Sequence, residues 1–67
     1  MRADRAEVSW DAGKSQWLVR IETGEEVIRR HCHAPKDADE KKLHSLVQAA
    51  VQDEGYELDP AQIHIRR

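Results

Sequence analysis

The stretch DADEKKLHSLVQAAVQDEGY (Asp37–Tyr56) decides how the rest of the chain can fold. Leu43, Leu46, Val47, Ala50 and Val51 recur at i, i+3, i+4, i+7 and i+8, which sets them in one stripe on a helix of 3.6 residues per turn. The stretch carries its own punctuation. Asp37, with Glu40 three residues on, is a capping-box variant in which Asp takes the Ser/Thr place and each side chain answers an orphan amide. Gly55 suits the left-handed residue after the last turn, and Tyr56 then packs back on Val51 in a Schellman ending. The predicted helix is about 18 residues, or roughly 27 Å at 1.5 Å per residue. Asp53 and Glu54 fall at its negative end, a small cost at a surface.

A single apolar stripe needs something flat to cover, and the flanking segments supply it. Ala6, Val8 and Trp10 alternate with Glu7 and Ser9, the period-2 signature of a half-buried strand. Residues 11–15 are turn chemistry, with Gly13 at the bend. Trp17, Val19 and Ile21 then share one face of a second strand, and Leu18, Arg20 and Glu22 the other. After Thr23-Gly24 a third strand runs from Glu26 to His33. Its register has two readings, because a slip of one residue exchanges the faces. We take the one that turns Ile28 and Cys32 inward and shows Val27, Arg29, His31 and His33, since free cysteine prefers burial and imidazole some water. Arg30 then lies on the inner face and must reach the edge with its head group.

Ala34-Pro35-Lys36 ends that strand. Beyond the helix, Leu58 tucks in, and Gln62 to Arg66 form a fourth strand with Ile63 and Ile65 on one side and His64 and Arg66 on the other. The predicted fold is α+β: one domain over residues 1–67, order βββαβ, one sheet with the helix across one face. Residues 1–5 are expected to fray. The fourth strand pairs beside the first, parallel to it, or in the middle of the sheet. The expected core is Val8, Trp10, Trp17, Val19, Ile21, Ile28, Leu43, Leu46, Val47, Ala50, Val51, Ile63 and Ile65.

Composition narrows the function classes. The chain has 67 residues, 36% of them charged, with a net charge of −2, which disfavours coating nucleic acid through bulk charge. Its single cysteine, Cys32, allows no intrachain disulfide and fits a reducing, cytoplasmic setting. No apolar run reaches the length of a membrane span, so no membrane partner is expected.

His31 and His33 project to one side of a strand, about 7 Å apart along it. His64 from another strand could join them on a borderline metal such as zinc. Cys32 points the other way, and neither a CxxC nor an HExxH motif occurs, so surface histidines are the simpler reading and no metal or other cofactor is expected. A nucleophilic Cys32 would need a base and an orienting group on its own side, and the neighbouring histidines face away. The carboxylate pairs Glu25-Glu26 and Asp53-Glu54 show no spacing tied to acid–base work. The chain therefore reads as no enzyme.

What remains is the uncovered sheet face, with Arg20, Arg29, His31, His33, His64 and Arg66 as its candidate contact residues. It suits a partner protein, as does an edge strand, which can also pair with a second copy of the chain. Nucleic acid is the alternative, since arginines can position phosphates, although both tryptophans point inward and leave no base-stacking platform. In element order alone, three meandering strands and then a helix, the chain resembles the small DNA-binding domains at the start of some integrases, which lay a sheet into the major groove. That order implies a groove-facing sheet; no sequence motif of those domains is present, and the fourth strand departs from them.

Overall fold

Alternation along the first two strands closes a hairpin whose inner positions are all apolar. The structure, a computed structural model, describes residues 2–66. Strand β1 (Arg5–Asp11) pairs antiparallel with β2 (Gln16–Thr23), setting Ala6 against Ile21, Val8 against Val19 and Trp10 against Trp17. The two indoles meet edge to face, with centroids 5.3 Å apart. Strand β3 (Glu26–Cys32) continues the meander, with Ile28 opposite Ile21 and Cys32 opposite Trp17. The inward reading of Ile28 and Cys32 is the observed one: both pack on the core, while Val27, Arg29 and His31 are exposed. The strand stops at Cys32, so His33 follows it rather than ending it.

Helix α1 (Glu40–Asp53) crosses the sheet and leads through a 3₁₀ turn (Pro60–Gln62) into β4 (Ile63–Arg66), giving the order βββαβ of an α+β domain. Strand β4 lies parallel to β1, with Ala6 opposite Ile63 and Val8 opposite Ile65, and the sheet order is β3-β2-β1-β4. This selects among the places left open for the fourth strand.

Two expectations need correction. The helix begins at Glu40 and has 14 residues, and its N-cap is Asp39, whose Oδ1 accepts from the Lys42 amide at 2.8 Å. Asp37 instead sits in a turn closed by the Ala38 amide on the Pro35 carbonyl (3.0 Å). Ala38 is buried, as is Leu43, and these are the two positions of a hydrophobic staple about the Asp39 cap. That apolar anchor moves the start two residues on. The expected fraying of residues 1–5 also fails over residues 2–5; Met1 lies outside the described residues. Arg2 bridges Glu57, Ala3 is buried with its amide on the Glu57 carbonyl (2.8 Å), and Asp4 Oδ2 accepts from the Gly24 amide (2.6 Å).

The far end of the helix is as expected. Gly55 takes φ +84°, its amide reaches the Gln52 carbonyl at 2.9 Å, and the Tyr56 amide reaches Val51 at 3.0 Å. Both bonds of the Schellman motif are present. Asp53 and Glu54, at the unfavourable end of the dipole, are answered by Arg30, whose Nη1 is 2.6 Å from Asp53 and 3.8 Å from Glu54. The hydrogen bond to Asp53 raises the Arg30 pKa.

Between sheet and helix lie Ala6, Val8, Trp17, Val19, Ile21, Leu43, Val47, Ala50, Val51 and Ile63, all buried. Trp10, Ile28, Leu46 and Ile65 of the expected core are only partly buried, and Ala3, Ala6, Ala38 and Leu58 add to it. Trp17 also ties down the segment before the helix, its Nε1 donating to the Pro35 carbonyl at 2.9 Å. The main contacts of α1 are with β1, β2 and β4. Strand β3 therefore stands beside the helix rather than under it, which leaves Ile28 and Cys32 half covered.

Candidate functional site: the open sheet face

Every second residue of the four strands points away from α1, and register turns these residues into rows. One row reads Arg29, Arg20, Glu7, His64 from β3 to β4; the next reads His31, Leu18, Ser9, Arg66. Beyond it, Asp11 faces Gln16. On the other side Arg5 faces Glu22, and Glu22 faces Val27. Arg20, Arg29, His31, His64 and Arg66 thus share one face, but they do not form one cluster, and His33 lies past the end of β3, outside these rows. His31 and His64 sit on β3 and β4, the two edges, three strand spacings or about 14 Å apart. No group of three His, Cys, Asp or Glu side chains able to hold a metal ion occurs among the described residues.

Most of the charges on this face are already answered. His31 Nε2 donates to Asp11 Oδ2 at 3.1 Å, spanning β2. That hydrogen bond, aided by backbone amides at Lys14 and Gly13, holds the Asp11 carboxyl below its usual range. The Gln16 side-chain amide donates to His33 Nε2 at 3.2 Å. Glu7 lies low in the middle of the face, 12% exposed, with Arg5 at 3.5 Å and Arg66 at 3.7 Å, and Arg5 also reaches Glu22 at 3.1 Å.

Arg20 and Arg29 are the exceptions. They are direct cross-strand partners on β2 and β3. Neither guanidinium has a hydrogen bond or ion pair among the described residues, and Arg20 Nε is buried without an acceptor. The two-residue turn Gly24-Glu25 makes Thr23–Glu26 a hydrogen-bonded pair. By alternation Arg20–Arg29 is then a non-hydrogen-bonded pair, the kind with its side chains closest. Like charges so placed are destabilising. Leu18 and Val27 flank the pair along the strands, and Val27 is 45% exposed.

Cys32 faces the helix side, away from His31. It lines a shallow cleft between β3 and α1 with Arg30, His33, Leu46, Ala49 and Asp53. Burial pushes its thiol pKa up, against the pull of nearby Arg30, which makes it a poor nucleophile at neutral pH.

Asp11 is the residue of this face that sequence reasoning missed. Glu7 was legible from parity with Val8. The pairing of Asp11 with His31 depends on two registers at once, and one of them is set by Ser15, a non-glycine residue at φ +53° that closes the first turn. Comparison with protein-family models, with curated proteins and with solved structures finds no match to this chain.

Proposed function

We propose that the chain is a small non-enzymatic binding module whose open sheet face takes an acidic surface of a partner protein, with carboxylates of that partner seated on Arg20 and Arg29. The observation that carries this reading is the unanswered arginine pair. A fold this short has little stability to spare, and local conflicts of this kind concentrate where a function needs them. An arriving carboxylate converts the repulsion into two charge-assisted contacts, and the guanidinium fork suits bidentate recognition. The flanking Leu18 and Val27 give the contact an apolar border. A protein partner is favoured over nucleic acid because Trp10 and Trp17 both lie on the inner side, which leaves no stacking surface among the arginines. The reading needs no cofactor and goes with a cytoplasmic setting for the lone thiol of Cys32. No helix among the described residues is long and apolar enough to cross a membrane.

A glutamate-rich peptide titrated into isotopically labelled protein tests the assignment. The amides of Leu18, Arg20, Arg29 and His31 should shift, together with the Arg20 side-chain Nε–H, and Arg20→Gln with Arg29→Gln should abolish the shifts. Shifts gathered instead at Lys41 and Lys42 on the helix would remove the face from consideration. If a single-stranded oligonucleotide binds more tightly than the peptide, with a steep loss as salt rises, nucleic acid replaces protein as the partner.

A further inference from the structure

We propose that two copies of the chain join through their β3 edges, antiparallel, in the register that sets Ile28 against Ile28. This is a second surface, the backbone edge of β3, and it adjoins the arginine pair through Val27 and Arg29. Strand β3 ends the sheet on its side. The hydrogen-bonded pairs to β2 fall at Glu26, Ile28, Arg30 and Cys32, alternating from the two-residue turn. The backbone amides and carbonyls of Val27, Arg29 and His31 therefore point away from the sheet. Such a row is a template for another strand unless something blunts it.

A two-fold axis through the edge places residues of equal parity opposite one another, each contact occurring twice. Centring on Arg29 sets Arg29 against itself and Ile28 against Arg30. Centring on Val27 carries half the strand past the partner's turn. Centring on Ile28 sets Glu26 against Arg30 on the inner side and Val27 against Arg29 on the outer, with Glu25 near His31 at the ends. The cause lies in the sequence of the segment: acids at Glu25 and Glu26 precede Ile28, and bases at Arg29, Arg30 and His31 follow it. An antiparallel copy turns that polarity into opposite charges across the pairs.

The same register accounts for two exposed features. Val27, the large hydrophobic residue left exposed among the described residues, comes under the aliphatic stem of the second copy's Arg29. Ile28, half covered because α1 sits over the other strands, meets its own copy.

Sedimentation of the chain up to about 1 mM, where even a millimolar Kd is visible, tests the proposal. A dimer is expected. Glu26→Arg places like charges opposite each other at two symmetric points and should weaken the dimer by about tenfold or more. Val27→Pro removes an outward amide that β2 does not use, which an edge strand tolerates, and should leave a folded monomer by circular dichroism. A wild-type chain that stays monomeric at the highest concentration overturns the proposal. So does a dimer that both substitutions leave unchanged.

Discussion

Val19 and Arg20 are neighbours in β2, yet they live in different chemistry. Val19 is fully buried between Val8 and α1, while Arg20 lies on the open side beside Arg29. The two faces share every backbone hydrogen bond of the sheet and differ only in what covers them. On the helix side the inward apolar residues of β1 and β2 join one cluster with those of α1, so several contacts agree on one arrangement. On the open side the charges are paired mostly across strands, and one pair is left in conflict. The covered face holds the fold together, and the open face has room for residues that the fold does not need.

Substitutions that act on one face at a time can break this contrast. The largest effect should come from Trp17→Ala. It opens a large cavity, removes the edge-to-face contact with Trp10 and frees the Pro35 carbonyl. Aromatic-to-alanine changes in cores cost about 3–5 kcal/mol, a large part of the total for a small domain. Urea unfolding measures it; a loss below about 1 kcal/mol would mean that the covered face does not carry the fold.

On the open face the expected sign is reversed. Arg29→Gln relieves the repulsion with Arg20 and should raise stability by roughly 0.2–1 kcal/mol at low salt, the range of cross-strand pair energies. Since exposed charges are screened by salt, the gain should fade as ionic strength rises. Thermal melts at low and high salt give the comparison. A lowered melting temperature at low salt would mean that the arginine pair is not in conflict, and the case for a partner carboxylate would lose its footing.

Much of the covered face was legible in the sequence because one helical stripe and three alternating runs had to meet. The Schellman ending at Gly55 and the inward turn of Cys32 follow from single-residue preferences. The helix start was not, because Asp37 and Asp39 both look like caps, and only burial of Ala38 beside Leu43 selects the second. The order of residues 2–5 was equally hidden, since it rests on contacts with Glu57, Glu22 and Gly24, each at least 17 positions away along the chain. The open face was legible as a set of residues but not as a set of pairs. Alternation tells which side Arg20 and Arg29 occupy, and turn lengths and register decide that they are opposite each other.

The smallest effect concerns a pair that register alone creates, His31 with Asp11, and it bears on whether the open face adds to stability at all. The Asp11 carboxyl is held below the ordinary aspartate value of 3.8, first by the hydrogen bond from His31 and then by backbone amides, with burial opposing. A carboxylate whose pKa is lowered on folding favours the folded state while it is ionised in both states. Its contribution is complete above the unfolded value and disappears as the pH falls through the lowered one. The melting temperature of the wild type should therefore exceed that of Asp11→Asn above the ordinary carboxylate range of about 4, and the margin should close as the pH falls below it. His31→Gln should shrink the margin without moving the far side of the sheet, because Glu7 keeps its own partners in Arg5 and Arg66. A margin that is absent at every pH above about 4, or that persists undiminished well below it, would show that the link across β2 does not stabilise the face, leaving the helix side to hold the sheet by itself.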